Sequence, residues 1–431
     1  MKTLIRDAQV LLETDGQWDV QEASVCIAGD TIVHVGAPLP GFTADTTVAG
    51  HNRLLMPGLI NAHNHSYMTL FRNYADDLPF QTWLFDRILP LEDQLTGTDC
   101  YWGTQLAIME MLRTGTTCFF DMVMFIEETT RAVDESGIRA CLSRGLVGEG
   151  MDEGGQRRFR EATAEMDRWV AHGHSRISFM LSAHAPYTCD PVFLRQVADE
   201  ANRRDVGVCV HLAESREEVA TINRTYGCTP TEYMDRTGFF SGHALAAHAI
   251  YLSDRDLAIL AERSVHVVTN PVSNMKLANG FAPLGKMREK GIPICLGTDS
   301  AASNNTQNLF KDLQYVALVH KGHNEDAEMI SASDALGFAT GNGARALRLG
   351  EQVGAIRPGY KADLVMLDLN QPQFYPRHNL LSALAYSATG QEVVMTMVDG
   401  KILYHDGEYI ALDRERILAE VSAISRRITG K

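Results

Sequence analysis

The chain has 431 residues and a formal net charge of −15, with 45% hydrophobic and 22% charged residues. This composition is typical of a globular protein with a large core, and the negative charge argues against a nucleic acid partner. Arg6 and Asp7 interrupt the first apolar stretch, and no uncharged run approaches a membrane span, so we expect neither a secretory signal nor a membrane partner. Eight scattered cysteines without a CxxC pair predict reduced thiols and a cytoplasmic location.

Residues 1–56 have the pattern of short strands joined by tight turns. In VQEASVCIAGDTIVHVG, apolar and polar residues alternate on both sides of Gly29-Asp30, which predicts a hairpin. The chain is therefore expected to begin with β structure.

Between residues 57 and 352, apolar strands alternate with helical segments. We count eight such units over roughly 250–300 residues, which is the size of a (β/α)8 TIM barrel. A doubly wound open sheet is the alternative, but it needs a glycine-rich phosphate turn after the first strand, and the sequence has none there. The long segment 66–97 predicts an elaborated loop over the barrel mouth. The predicted strands are 59–65, 116–122, 139–146, 177–186, 207–214, 244–252, 265–271 and 292–300.

The C-terminal part of the chain returns to β structure. ADLVMLDL (362–369) predicts a strand, and Asp399-Gly400 and Asp406-Gly407 predict two successive hairpin turns within 393–410. Residues 414–428 have the apolar spacing of an amphipathic helix.

Ligand-type side chains fall at the carboxyl ends of several predicted strands, where TIM barrels carry their chemistry. His63 and His65 are two residues apart, so a strand that continued to residue 65 would direct both to the same side. The others are His184 on the fourth strand, His211 and Glu214 on the fifth, His248 on the sixth and Asp299 on the eighth.

A divalent metal would explain this set. The two histidines of the first strand, with His211 and Asp299, form a donor set that suits Zn²⁺ or Fe²⁺. The metal would lower the pKa of a bound water and Asp299 would accept its proton, while His248 would orient the hydroxide and Glu214 would carry a proton to the substrate. Taken singly, each residue has a structural alternative: His211 as a core histidine, Asp299 as a helix cap, and Glu214 as an acidic residue of a helix N-terminus.

The motifs resemble those of the metal-dependent amidohydrolase superfamily. The resemblance is carried by PGLINAHNH (57–65), HLAE (211–214), the histidine of the sixth strand and LGTDS (296–300). NGARALRLGEQVGAIRPGYKADLVMLD resembles the link from the barrel of these enzymes back to a small β-sandwich that both chain termini build. The resemblance implies an α/β fold in which residues 57–352 form a metal-dependent (β/α)8 catalytic barrel. Residues 1–56 and 353–431 would form the composite β-sandwich.

Within that superfamily, NAHNHSYMTLFRNYADDLPFQTWL, NPVSNMKLANG and GTDSAASNN resemble 5-methylthioadenosine/S-adenosylhomocysteine deaminases. The resemblance implies that His184 contacts the purine, that Glu92 holds the ribose hydroxyls and that Trp83 forms a wall of the pocket. As structural alternatives, Glu92 could cap a helix or pair at the surface, and Trp83 could belong to the core.

The same resemblance implies that two arginines recognise the distal carboxylate of S-adenosylhomocysteine. Arg144 fits the first, with a structural ion pair as the alternative. The second falls in GGQRRF, where we choose Arg158 over Arg157. Which subunit supplies it stays open.

The implied reaction is hydrolytic deamination of an adenine nucleoside at C6 by a metal-bound hydroxide, giving the inosine analogue and ammonia. Glu214 would protonate N1, and Asp299 would pass on a proton as ammonia leaves. Candidate substrates are 5′-methylthioadenosine, S-adenosylhomocysteine and adenosine. Because no lysine ends the fourth strand, we expect one metal per subunit, with Zn²⁺ preferred over Fe²⁺ or Mn²⁺. The resemblance also implies a homo-oligomer, either a dimer or a tetramer.

Three other functions compete with this interpretation, and the sequence argues against the second and the third. A guanine or pterin deaminase or a triazine chlorohydrolase of the same superfamily would keep the metal ligands but would not need Glu92. A nucleic-acid-editing deaminase would carry an HxE…PCxxC signature, which the chain lacks. A non-enzymatic scaffold would keep the fold without the metal.

Overall fold

The computed structural model describes residues 1–14, 16–150 and 152–430. Its strands fall into two separate sheets. The strands are β1 (Lys2–Thr14), β2 (Gln17–Ala28), β3 (Thr31–Gly36), β4 (Thr46–Ala49), β5 (Arg53–Pro57), β6 (Leu59–Asn61), β7 (Thr116–Val123), β8 (Arg139–Leu146), β9 (Ile177–Phe179), β10 (Leu181–Ala183), β11 (Val208–Leu212), β12 (Ala244–His248), β13 (His266–Thr269), β14 (Ile294–Leu296), β15 (Leu364–Asp368), β16 (Val393–Val398), β17 (Lys401–His405) and β18 (Glu408–Tyr409).

Most α-helices follow barrel strands, as the alternating pattern predicts. Several of them begin after a polar side chain that caps the first turn; α2, for example, starts after Thr96, which forms a capping box with Asp99. The helices are α1 (Leu89–Glu92), α2 (Gly97–Arg113), α3 (Ile126–Ser136), α4 (Glu153–Ala171), α5 (Pro191–Arg204), α6 (Arg216–Tyr226), α7 (Pro230–Arg236), α8 (Asp254–Glu262), α9 (Pro271–Lys276), α10 (Leu284–Glu289), α11 (Ala301–Asn304), α12 (Leu309–Asn324), α13 (Ala332–Phe338), α14 (Gly341–Ala346), α15 (Leu380–Tyr386) and α16 (Arg414–Thr429).

The first sheet is largely antiparallel and joins the two ends of the chain. Its order is β18-β17-β16-β15-β5-β1-β2-β3, with β4 paired to β1. The join is the antiparallel pairing of β5 with β15, which places Leu364 opposite Pro57. The β16–β17 turn falls at Asp399-Gly400, where both residues have positive φ as the hairpin prediction requires.

The second sheet is a parallel barrel of order β6-β7-β8-β10-β11-β12-β13-β14, with β9 paired to β8. The first and last strands meet through the backbone N–H of Ala62, which donates to the carbonyl of Leu296 at 2.9 Å. The barrel strands contribute a cluster of buried apolar side chains, which includes Cys141, Cys209 and Cys295. The predicted (β/α)8 barrel with a composite terminal β domain is therefore confirmed.

The barrel strands are shorter than predicted in most cases. β6 ends at Asn61 rather than at residue 65, and the predicted fourth strand is broken at Met180 into β9 and β10. Residues with positive φ, such as Ala213 and Ala249, directly follow β11 and β12, and the regular strands end there. The expectation that His63 and His65 lie on a strand is therefore wrong.

The predicted loop over the barrel mouth is ordered. It contains a 3₁₀-helix (Ser66–Phe71) and a π-helix (Thr82–Ile88) before α1 begins. Its apolar side chains form a cluster with Ile424 and Ile428 of α16, so the last helix of the chain supports this loop. Throughout the described part of the chain, no helix combines the length and the apolar character needed to cross a membrane.

Candidate active site

Five side chains meet at the carboxyl end of the barrel. The Nε2 atoms of His63 and His65 lie 3.6 and 3.5 Å from Oδ1 of Asp299, and Nε2 of His65 lies 3.1 Å from Nε2 of His211. Among the residues that the structure describes, two groups of three donors are compact enough to hold a metal ion: His63, His65 and Asp299, and His63, His211 and His248. All five side chains are largely shielded from solvent.

Hydrogen bonds direct one atom of His65, His211 and Asp299 into this cluster. Nδ1 of His65 bonds the carbonyl of Met122 at 2.8 Å, and Nδ1 of His211 bonds the carbonyl of His184 at 2.6 Å. Because a carbonyl only accepts, each Nδ1 carries the proton and each Nε2 presents its lone pair. Oδ2 of Asp299 accepts from the hydroxyls of Ser273 and Ser303, both at 2.6 Å, which leaves Oδ1 for the cluster.

His63 shows that this donor set fits a cation. Both ring nitrogens are buried, and neither has a hydrogen-bond partner among the described residues. Burying such groups without partners is costly, and a metal ligand bond removes that cost. Two donors at about 2.0–2.1 Å from a tetrahedral Zn²⁺ lie about 3.3–3.4 Å apart. The separations of 3.1, 3.5 and 3.6 Å fall around this value.

The charge states also suit metal binding. Burial lowers the pKa of His63 to about 4, and it lowers the pKa of His65 and His211 as well. Burial opposes ionisation of Asp299, but its interactions with His63, His248 and His65 hold its pKa well below the usual range. The site therefore presents neutral imidazoles and an ionised carboxylate, which are the forms that bind metals.

Glu214 and His248 face each other beside the cluster, with Oε2 and Nε2 3.7 Å apart. Burial raises the pKa of Glu214 to about 7, although the charge of His248 opposes this shift. The side chain of Asn279 donates to Oε1 of Glu214 at 3.1 Å, and Oδ1 of Asn274 lies 2.9 Å from Nδ1 of His248. A carboxyl group with this pKa is suited to proton transfer near neutral pH.

The turn that carries Glu214 is held by a second carboxylate. Glu218 is buried and accepts from the backbone N–H groups of Ala213 at 2.7 Å and of Glu214 at 2.9 Å. Ala213 has φ of 47°, a strained conformation for alanine, and His248 and Asp299 also have positive φ. Strain of this kind concentrates at functional sites, where the surrounding structure enforces it.

Sequence reasoning missed Asn274, Asn279, Ser273 and Glu218. The first three belong to NPVSNMKLANG, which served only to identify a resemblance. Polar residues that follow a barrel strand were the available signal, because β13 ends at Thr269 directly before this segment.

A cavity of about 480 Å³ opens above the cluster, with more apolar than polar surface. Every residue that the sequence analysis expected to contact substrate lines this cavity. Arg158 is among them, and Arg157, the alternative to it, is not. These lining residues are Trp83, Glu92, Arg144, Arg158, His184, Glu214 and Asp299.

The two arginines differ in their partners. Nη1 of Arg144 lies 3.0 Å from Oε2 of Glu161, so Arg144 forms an ion pair. Nη2 of Arg158 donates to the carbonyl of Val147 at 2.8 Å, and no carboxylate pairs with Arg158 in the residues that the structure describes. Tyr67 and Glu92 also line the cavity, and the Tyr67 hydroxyl donates to Oε1 of Glu92 at 2.6 Å.

Comparison with known proteins agrees with this geometry. Residues 54–403 match the amidohydrolase family. A 5-methylthioadenosine/S-adenosylhomocysteine deaminase from Caldanaerobacter subterraneus subsp. tengcongensis is 41% identical over 421 residues, covering 98% of this chain and 97% of the relative. The crystal structure of an adenosine deaminase from Xanthomonas campestris with bound zinc superposes with a TM-score of 0.95 at 33% identity, covering 100% and 99% of the two chains.

An atrazine chlorohydrolase from Arthrobacter aurescens, solved with zinc, has a TM-score of 0.91 over 98% of this chain and 100% of its own. Its identity of 23% supports a shared fold and nothing more specific.

Proposed function

The chain belongs to the amidohydrolase family and is a metal-dependent hydrolase, and we propose that it deaminates adenine nucleosides at C6. The substrates are 5′-methylthioadenosine, S-adenosylhomocysteine and adenosine, and the products are the inosine analogue and ammonia. One observation carries the proposal: a single cavity contains both the ligand cluster around Asp299 and the half-buried carboxylate of Glu92. Nucleoside deaminases at 41% and 33% identity support it.

His63, His65, His211 and Asp299 would hold one divalent cation, with Zn²⁺ preferred over Fe²⁺ or Mn²⁺. A cation bound there supplies a water of lowered pKa as the nucleophile. The support is the orphaned imidazole of His63 together with the aligned Nε2 atoms of the other two histidines.

Three residues of the chain move or hold protons. Asp299 accepts a proton from the attacking water and passes it to the leaving amine, while Glu214 donates its proton to N1 of the purine. His248 holds the nucleophile through Nε2, because Asn274 occupies its Nδ1. Water adds to C6 and the C6–N bond breaks. The remaining hydroxyl proton restores Glu214 as the C6 carbonyl forms, so one water is consumed and one ammonia is released.

The remaining cavity residues would bind the nucleoside. His184 contacts the purine, Trp83 forms a wall, and Glu92 accepts hydrogen bonds from the ribose hydroxyls. Arg144 and Arg158 would receive a carboxylate on the 5′ substituent. Arg158 is the better suited of the two, because its described partner is a neutral carbonyl.

We also propose the wider organisation expected from the sequence. Residues 57–352 act as the catalytic unit, and residues 1–56 with 353–431 form the terminal domain. A cytoplasmic location is supported by eight buried cysteines, all with free thiols. A homo-oligomer, a dimer or a tetramer, is proposed on the family resemblance.

The test follows the adenine ultraviolet band and ammonia release with metal-loaded protein. The panel is 5′-methylthioadenosine, S-adenosylhomocysteine, adenosine and guanine, each assayed separately. Turnover of the nucleosides and not of guanine supports the proposal and ranks the 5′ substituents. Turnover of guanine alone would make the protein a different deaminase of the same family. Inactivity on all four, in protein shown to contain metal, would refute the proposed substrate class.

A further inference from the structure

We propose that Tyr67 is a specificity-determining positioning residue that makes the site select ribonucleosides over deoxyribonucleosides. It does so by fixing the Glu92 carboxylate, so that the second carboxylate oxygen accepts a hydrogen bond from a sugar hydroxyl. This inference rests on the proposed function, because it takes the ligand to be a nucleoside. The metal centre does not explain selection between ribonucleosides and deoxyribonucleosides, and this inference assigns that selection to Tyr67.

The first observation is how the Glu92 carboxylate is partnered. Tyr67 Oη donates to Oε1 at 2.6 Å, and this is the one hydrogen bond that the carboxylate receives within residues 1–14, 16–150 and 152–430. Burial raises the pKa of Glu92, and the hydrogen bond from Tyr67 opposes that rise. An ionised carboxylate can accept several hydrogen bonds, so Oε2 retains its capacity for a ligand.

The second observation is that Tyr67 cannot shift easily. Its side chain is 5% exposed, and its 3₁₀-helix is tied to α2 by the Thr69 hydroxyl, which donates to the carbonyl of Gly103 at 2.6 Å. The contact is close, since a Cβ added at Gly103 would lie 2.6 Å from the Tyr67 carbonyl oxygen. The N–H of Ser66 also donates to Oδ1 of Asp121 at 2.8 Å. Tyr67 therefore holds Glu92 at a fixed place relative to His65.

The chemistry of the cavity indicates which ligand group Oε2 receives. The cavity surface is mainly apolar, and Tyr67, Trp83 and Glu92 line it together. No cation forms an ion pair with Glu92 in the described chain, so a neutral hydroxyl is the donor that suits it. A sugar that lacks this hydroxyl would leave Oε2 without a partner once the ligand covers it, which disfavours binding.

The experiment measures kcat/KM for adenosine, 2′-deoxyadenosine and 3′-deoxyadenosine with the wild-type enzyme and Tyr67→Phe. We expect the substitution to lower kcat/KM for adenosine by about tenfold, mainly through KM, because a hydrogen bond to a charged group is lost and Glu92 can rotate. For at least one deoxynucleoside, kcat/KM should fall much less. The ratio of kcat/KM for adenosine to kcat/KM for that deoxynucleoside therefore decreases.

Tyr101→Phe is the matched control. Tyr101 Oη donates to the carboxylate of Glu135 at the protein surface, outside the cavity, so its loss should leave the ratio unchanged. Glu92→Gln provides an independent route that does not depend on the folding of the tyrosine variant. It should lower the same ratio, and Tyr67→Phe should lower it no further in that background.

The inference would be overturned if Tyr67→Phe lowered kcat/KM equally for all three substrates, or if Glu92→Gln left the ratio of ribo to deoxy activity unchanged. Either result would leave the deaminase activity established. A wild-type enzyme that is inactive on these substrates and on 5′-methylthioadenosine would overturn the proposed function and the inference with it.

Discussion

The amide oxygen of Asn274 lies 2.9 Å from Nδ1 of His248, and this contact determines which nitrogen of the imidazole faces the reaction centre. The amide oxygen only accepts, so Nδ1 carries a proton and Nε2 is turned toward Glu214, 3.7 Å away. Asn274 thus acts through His248, in the same way that backbone carbonyls act through His65 and His211.

Asn274→Ala should lower kcat by about 10- to 100-fold, which is the usual cost of losing such a supporting hydrogen bond. KM should change little, because Asn274 does not line the cavity. Steady-state kinetics on 5′-methylthioadenosine measure both constants. Asn202→Ala, which removes a surface amide that bonds Ser241, is the control. An Asn274→Ala variant with wild-type kcat would contradict the role given to His248.

Glu214→Gln should retain the metal but lower kcat by about 10²- to 10⁴-fold, because the amide cannot deliver a proton to N1. Metal content measured by elemental analysis separates this result from loss of the site. Glu217→Gln, at an exposed position in the first turn of α6, should behave as wild type. Near-normal turnover by Glu214→Gln would exclude Glu214 as the proton donor.

Gly297→Ala should damage the metal site directly. A Cβ at this position would lie 2.5 Å from Oδ1 of Asn270 and 2.8 Å from the carbonyl oxygen of His63. The resulting overpacking should cost about 1–3 kcal/mol of unfolding free energy and displace His63 from Asp299. Gly322→Ala, in α12 with no atom near its added Cβ, should be neutral or slightly stabilising. Equal metal affinity in the two variants would contradict this prediction.

Arg139 joins the barrel to the terminal sheet through a buried ion pair. Its Nε lies 2.7 Å from Oδ2 of Asp363, and both side chains are 1% exposed. Arg139→Met should cost about 3–5 kcal/mol of unfolding free energy, because it leaves the Asp363 carboxylate buried without its partner. Denaturant unfolding measures this value.

The control for Arg139 is Arg203→Met, which removes an exposed pair with Glu200 and should have little effect on stability. Adding Asp363→Leu to Arg139→Met should recover part of the loss, since the unpaired charge is removed. An Arg139→Met variant as stable as wild type would show that the buried ion pair does not stabilise the structure.

The fold was predictable because its signals are local. Alternating strands and helices indicated the barrel, and Asp399-Gly400 indicated a hairpin that the structure confirms. The strand ends were less predictable, since positive φ at Ala213, His248 and Asp299 depends on contacts with distant segments. His63 and His65 converge even though β6 ends before them, because the backbone of Asp299 bonds the carbonyl of His63 and Met122 bonds the His65 ring.

The residues that hold Glu92 and Glu214 in place could not be predicted from the sequence, because their contacts also join distant segments. Tyr67 meets Glu92 across 25 positions, and Glu214 meets Asn279 across 65, so no local spacing reveals either contact. Tyrosine and asparagine are also common in cores and turns. Only the barrel geometry selects these particular side chains.

The most direct test of the account is a titration of metal-free enzyme with Zn²⁺ while ammonia release from 5′-methylthioadenosine is followed. The ligand set around His63 and Asp299 predicts that activity is absent at the start, rises linearly and saturates at one equivalent of metal per subunit. Ammonia release without added metal, or none at saturation in protein shown to bind zinc, would contradict the assignment of a metal-dependent nucleoside deaminase.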